Sequence, residues 1–92
     1  MNLNHIQMHI KDKYYETDAA SGHLFLLVVL FEEVGELAEA VRKEDKNEVQ
    51  QELTDVLFMT LSIANLFGVD LEDKITEKYI EGDPSSKWDL PD

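Results

Sequence analysis

The sequence predicts an all-α fold: a small four-helix bundle-like domain of antiparallel helices, completed by homo-oligomerisation. Three observations carry this. Apolar residues recur at alternating three- and four-residue intervals along two long segments, the signature of an amphipathic helix. Helix-ending signals fall between segments, at Gly22, Gly68 and Gly82-Asp83-Pro84. The 92 residues make one domain near the lower end of what can bury its own core, so a partner subunit is expected. The core spans about residues 4–80, and residues 81–92 form a C-terminal tail.

Composition narrows the function classes. With 43% hydrophobic and 30% charged residues the chain is globular rather than disordered. The absence of cysteine excludes disulfides and thiolate metal sites. The longest apolar run, residues 24–31, is far shorter than the ~20 residues of a membrane span, and no secretory leader pattern opens the chain. A cytoplasmic location without membrane attachment is expected. Eight Lys and Arg stand against twenty Asp and Glu, a formal charge of −12. Such a surface repels the phosphate backbone of a long nucleic acid, but it is compatible with a small phosphorylated ligand escorted by a cation.

Residues 4–16 read as a first helix with Ile6, Ile10 and Tyr14 on one face, followed by a connector at 17–22 in which Asp18 or Ser21 caps the next helix. His5 and His9, spaced i, i+4, share a helical face, but nothing nearby offers a third ligand. The second helix runs to about Lys43, with Leu27, Leu30, Val34, Leu37 and Val41 as its core stripe. Leu26, Val29 and Ala40 share a flank of that stripe with Glu33 and Glu36. Gly35 inside this helix reads two ways, as the close approach of a backbone or ligand, or as simple tolerance. Asp45 or Asn47 caps a third helix ending at Gly68, whose buried side comprises Val49, Leu53, Val56, Leu57, Thr60, Ile63, Ala64 and Phe67. That apolar arc is wide enough for burial on two sides, against the second helix and against a fourth helix or second subunit. Asp70 caps a last helix over 71–80 carrying Lys74 and Lys78, and the tail holds Trp88.

Glu33 and Glu36 form one i, i+3 carboxylate pair, Glu52 and Asp55 another. A short break makes the second and third helices antiparallel neighbours, and residues equally far from the turn then lie at the same height. The two pairs are centred symmetrically about Glu44, so they are level, and both border apolar stripes. Four carboxylates crowded there repel one another unless cations neutralise them. Oxygen ligation without His or Cys suits hard cations, chiefly Mg²⁺ or Mn²⁺, whereas a di-iron bundle calls for Glu-x-x-His, which is missing. The competing reading leaves both pairs on solvated helix faces.

The segment Glu32-Glu33-Val34-Gly35-Glu36-Leu37-Ala38-Glu39-Ala40, followed by Gln51-Glu52-Leu53-Thr54-Asp55-Val56-Leu57, resembles the MazG-like nucleoside triphosphate pyrophosphohydrolases, whose signature is E-E-x-x-E, a spacer, then E-x-x-D. The resemblance runs from about Leu24 to Lys78. It implies that Glu33, Glu36, Glu52 and Asp55 bind Mg²⁺. It implies an all-α bundle completed by dimerisation, as a homodimer or homotetramer. It also implies hydrolysis of a (deoxy)nucleoside triphosphate between the α and β phosphates to a monophosphate and pyrophosphate, a house-cleaning activity. Family members often carry Lys-x-x-x-Asn near the last helix; here Lys78 matches the lysine, and Gly82 stands where the asparagine would be. Within this reading Glu32, one turn from Glu36, is the candidate proton acceptor, and Lys74 and Lys78 meet phosphate oxygens as point charges. The alternative is a non-catalytic metal- or nucleotide-binding or regulatory helical protein.

Overall fold

The computed structural model describes residues 1–82, and these are all-α: α1 (Leu3–Ser21), α2 (His23–Lys43), α3 (Lys46–Phe67) and α4 (Leu71–Ile75), the last continuing as a π-helical segment, Thr76–Glu81. Trp88 and the rest of the tail beyond Gly82 lie outside the described residues.

α1 is longer than the connector reading allowed. Its N-cap is Asn2, whose side chain accepts from the His5 N–H at 2.9 Å. The helix then runs through the expected connector to Ser21, where Ala19 and Ala20 favour continuation and the Ser21 hydroxyl donates back to the Thr17 carbonyl instead of capping α2. Gly22, at φ 91°, ends α1 and opens α2 by itself, its N–H bonding the Asp18 carbonyl. That backbone conformation is open to glycine and strained for other residues.

α2 and α3 form an antiparallel hairpin. Glu44 occupies the left-handed region at φ 57°, with its own N–H on the Val41 carbonyl and the Asp45 N–H on the Ala40 carbonyl, a Schellman closure. Asp45, rather than Asn47, caps α3 by accepting from the Asn47 and Glu48 N–H groups. At the hairpin's open end the His23 and Phe67 rings meet edge to face at 5.6 Å, so the start of α2 lies beside the end of α3. α3 closes on Gly68 with the same Schellman pattern, and Asp70 caps α4 as its sequence suggests.

The helix faces are rotated from those the stripes indicated. On α2 the residues turned inward are Leu26 and Ala40, both buried, with Val29, Leu30, Glu33 and Leu37 half-buried. Leu27, Phe31, Val34 and Val41 are 38 to 65% exposed. α2 carries two apolar faces, and α3 takes the one where small Ala40 lets the helices approach near the turn. On α3, Leu53, Leu57 and Phe67 are exposed, while Leu61, Ser62 and Asn65 are buried. They share a face with Phe58, which meets α1 through the Tyr14–Phe58 edge-to-face contact at 5.1 Å and the Gln7–Asn65 hydrogen bond. The second side of burial predicted for α3 is thus supplied by α1, not by α4. α1 turns Gln7 inward and leaves Ile6 partly exposed.

Gly35 sits on an open surface: an added Cβ meets nothing within 4 Å. Within one chain it answers to tolerance. Among the described residues no single helix is long and apolar enough to cross a membrane.

Candidate metal centre

The symmetric placement of the acidic pairs about the turn has a direct geometric consequence. Glu33 and Glu36 from α2 and Glu52 from α3 each present a carboxylate oxygen, and the three lie within 4.8 Å of one another, the only such group able to hold a metal ion among the described residues. Asp55, one turn further along α3, is half-buried and outside that 4.8 Å group, but its charge is felt at Glu33. Glu32 is exposed and is not one of the three.

The electrostatics are those of a site with too few counter-charges. Glu33 Oε2 and Glu52 Oε2 are shielded from solvent and have no hydrogen-bond partner. Desolvation, then the charge of Glu36, raises the Glu33 pKa above its ordinary value. Desolvation and the facing Glu36 and Glu33 carboxylates push Glu52 up to about 7. Carboxylates that share protons in this way titrate as a set. Orphaned oxygens on converging acids are what a hard cation satisfies, so the donor set fits a divalent ion of the Mg²⁺ type. Nearby cations do not fill that role: Arg42 and Lys43 are drawn to Glu39, and Lys43 also approaches Glu48.

A groove of about 370 Å³ opens beside the cluster, lined by Glu36, Glu39, Asn47, Glu48, Gln51 and Glu52. A second groove, of about 500 Å³, holds Asp55 with Asn47, Gln50, Gln51 and Thr54. Asn47 and Gln51 border both grooves; from the sequence Asn47 is only a capping candidate, and neither residue is assigned to the site. The i, i+4 series Asn47, Gln51, Asp55 on one face of α3 is the signal that places them there.

Lys74 and Lys78 are not brought to this cluster. Glu52 and Phe67 are separated by fifteen residues of α3, roughly 22 Å at the helical rise. α4 and its π-helical continuation then leave α3 at 109°, and α4 packs against α1. Lys74 approaches Glu77 at 3.5 Å. His5 and His9 remain exposed on α1, away from any third ligand among the described residues.

An all-α chain whose helical hairpin gathers carboxylates of E-x-x-E and E-x-x-D spacing defines the class: a helical protein with an acidic metal-type centre. The profile of the MazG nucleotide pyrophosphohydrolase domain matches residues 21–86, most of the chain, and the protein belongs to that family. Comparison with individual curated proteins gives no match.

Proposed function

We propose that this protein is a Mg²⁺-dependent pyrophosphohydrolase that cleaves a (deoxy)nucleoside triphosphate between the α and β phosphates, giving a monophosphate and pyrophosphate. The observation that carries the reading is the convergence of Glu33, Glu36 and Glu52 with two shielded, unpartnered oxygens, in a chain of the MazG family. Those three, with Asp55, would hold Mg²⁺, or Mn²⁺ in its place. When bound, the cation supplies charge neutralisation for the phosphate oxygens as the anhydride breaks. The residues do the rest. The four carboxylates would hold the cation beside the α2–α3 hairpin, where it would offset their repulsion of the phosphates, and the adjoining groove receives the remainder of the nucleotide; Glu32 takes a proton from the attacking water, whose oxygen bonds to phosphorus as the P–O bond of the α–β anhydride breaks and its oxygen leaves with the other product.

Lys74 and Lys78 serve phosphates from a second copy of the chain, since within one chain they lie beyond reach of the acids. Leu27, Phe31, Val34 and Val41 of α2, with Leu53 and Leu57 of α3, form an exposed apolar face that supports self-association, as a homodimer or a homotetramer. The expected setting is the cytoplasm, with a house-cleaning role.

The test is pyrophosphate release from a panel of common and modified nucleoside triphosphates with and without Mg²⁺. Wild type should release it only with the metal, and Glu36→Gln and Asp55→Asn should abolish release. Absence of release from every nucleotide would sink the hydrolase reading. Metal-dependent binding without turnover, seen by calorimetry, would leave a binding module instead.

A further inference from the structure

One buried side chain of α1 holds the joint between α3 and α4. Gln7 is 5% exposed, in register with Leu3 and Ile10 on the inward face of α1. Its Nε2 donates to Asn65 Oδ1 at 3.1 Å and to the Val69 carbonyl at 2.7 Å, and its Oε1 accepts from the Leu71 N–H at 3.3 Å. Asn65 Nδ2 returns a bond to the Gln7 main-chain carbonyl at 3.1 Å. Val69 and Leu71 flank the bend, Val69 between the helices and Leu71 in the unpaired first turn of α4, so no helical bond serves their groups there. Asn4 adds an exposed bond, Nδ2 to Asp70 Oδ2 at 2.8 Å, onto the residue that caps α4. A leucine at position 7 would fit an amphipathic stripe, yet it would leave the Val69 carbonyl, the Leu71 N–H and Asn65 Oδ1 without these partners.

We propose that Gln7 is a positioning residue: it fixes the 109° direction in which α4 leaves α3, and so the place from which Lys74 meets the phosphates. The arm needs such a hold. Five α-helical residues and one π-helical turn have little stability of their own, and α4 packs on the rest of its chain through α1. Gln7 touches no substrate and acts only through the arm. This role rests on the assignment of Lys74 as a phosphate contact; the hold on the elbow rests on the hydrogen bonds alone.

The experiment compares Gln7→Leu, Asn4→Ala and Lys74→Ala, and each of the first two combined with Lys74→Ala, in the full chain. KM and kcat for the nucleotide that wild type cleaves best, Mn²⁺ affinity without nucleotide, and amide exchange at Leu71 are measured. Gln7→Leu should raise KM about tenfold, the loss of one hydrogen bond to a charged group, with kcat and Mn²⁺ affinity unchanged. In the Lys74→Ala background neither substitution should raise KM further, because the contact they position is already gone. Leu71 exchange should quicken in Gln7→Leu without matching acceleration in α2. Asn4→Ala, outside the core, should show a smaller effect of the same pattern and serves if Gln7→Leu fails to fold. Equal KM effects in both backgrounds, or a parallel fall in Mn²⁺ affinity, would overturn the positioning role. Wild type that neither binds nor cleaves nucleotide overturns the proposed function and the Lys74 role with it, whereas active wild type with an unchanged KM in Gln7→Leu and Asn4→Ala refutes this inference alone.

Discussion

Replacing Glu52 by Gln separates the metal-site reading from a merely acidic surface, because the two states of the site pull stability in opposite directions. Without metal, Glu52 faces Glu33 and Glu36, carries an oxygen shielded from water, and has a pKa pushed up to about 7. At pH 8 its ionisation is therefore opposed by the folded state, and Glu52→Gln removes that opposition while keeping size and shape. The metal-free variant should melt at or above the wild-type temperature at pH 8. With metal the order reverses. A ligand at a hundred times its dissociation constant stabilises the folded state by about 2.7 kcal/mol. At roughly 4–8 °C per kcal/mol for a chain of this size, wild type should gain on the order of 10–20 °C. Glu52→Gln, with a neutral amide at the centre of the donor set, should gain little at the same concentration. Thermal unfolding followed by circular dichroism, with EDTA and with Mg²⁺ or Mn²⁺ at constant ionic strength and protein concentration, reads both halves. If the metal-free variant melts well below wild type and both gain equally from metal, the three carboxylates are not a cation site.

Four further outcomes follow from the geometry. Glu33 and Glu52 have pKa values raised above their unfolded values, so their contribution to metal-free stability is complete below about pH 4.5 and is lost as pH rises through the raised values, about 7 for Glu52; urea midpoints in EDTA should fall between pH 5 and pH 8, and saturating Mg²⁺ should remove that fall. Gly35→Ala meets open space inside a helix and should stabilise the chain by roughly 0.5–1 kcal/mol in denaturant titration; a loss would show that a second chain passes over this position. Glu44→Gly relieves a left-handed residue at the hairpin turn and should raise stability by up to about 1 kcal/mol, with the metal response unchanged. Val34→Glu combined with Leu53→Glu places charges on the exposed apolar face, and light scattering should show wild type as a dimer or tetramer and the double variant as a monomer; an unchanged mass would remove that face as the interface.

Much of the fold could be read in advance because its signals are local. Asp45, Gly68 and Asp70 act at the positions their side chains or backbone suit, and α2 and α3 keep the expected partnership. The end of α1 was misread because Asp18 and Ser21 suit a cap as readily as a helix, and the choice was made by Ser21 bonding back to Thr17 and by Gly22. Orientation was the other error. Periodicity finds an apolar stripe, but α2 has two adjoining stripes, and only the partner helix determines which is covered. Gln7 went unnoticed for a related reason: a polar residue in a stripe has meaning only when Asn65, Val69 and Leu71 are seen beside it, and all three are more than fifty residues away in sequence.

For the acidic stretch between Glu32 and Asp55, the sequence alone determined the spacing of the carboxylates, their equal distance from Glu44 and the family to which the pattern belongs, since all three depend on chain order and helical rise. Tertiary structure decided that Glu33, Glu36 and Glu52 converge while Asp55 stands one turn aside, and that the lysines lie at the far end of α3. The physical reason is rotation and distance. Helical spacing puts side chains on a common face, but the packing of Leu26 and Ala40 against α3 sets where that face points and how near the oxygens come.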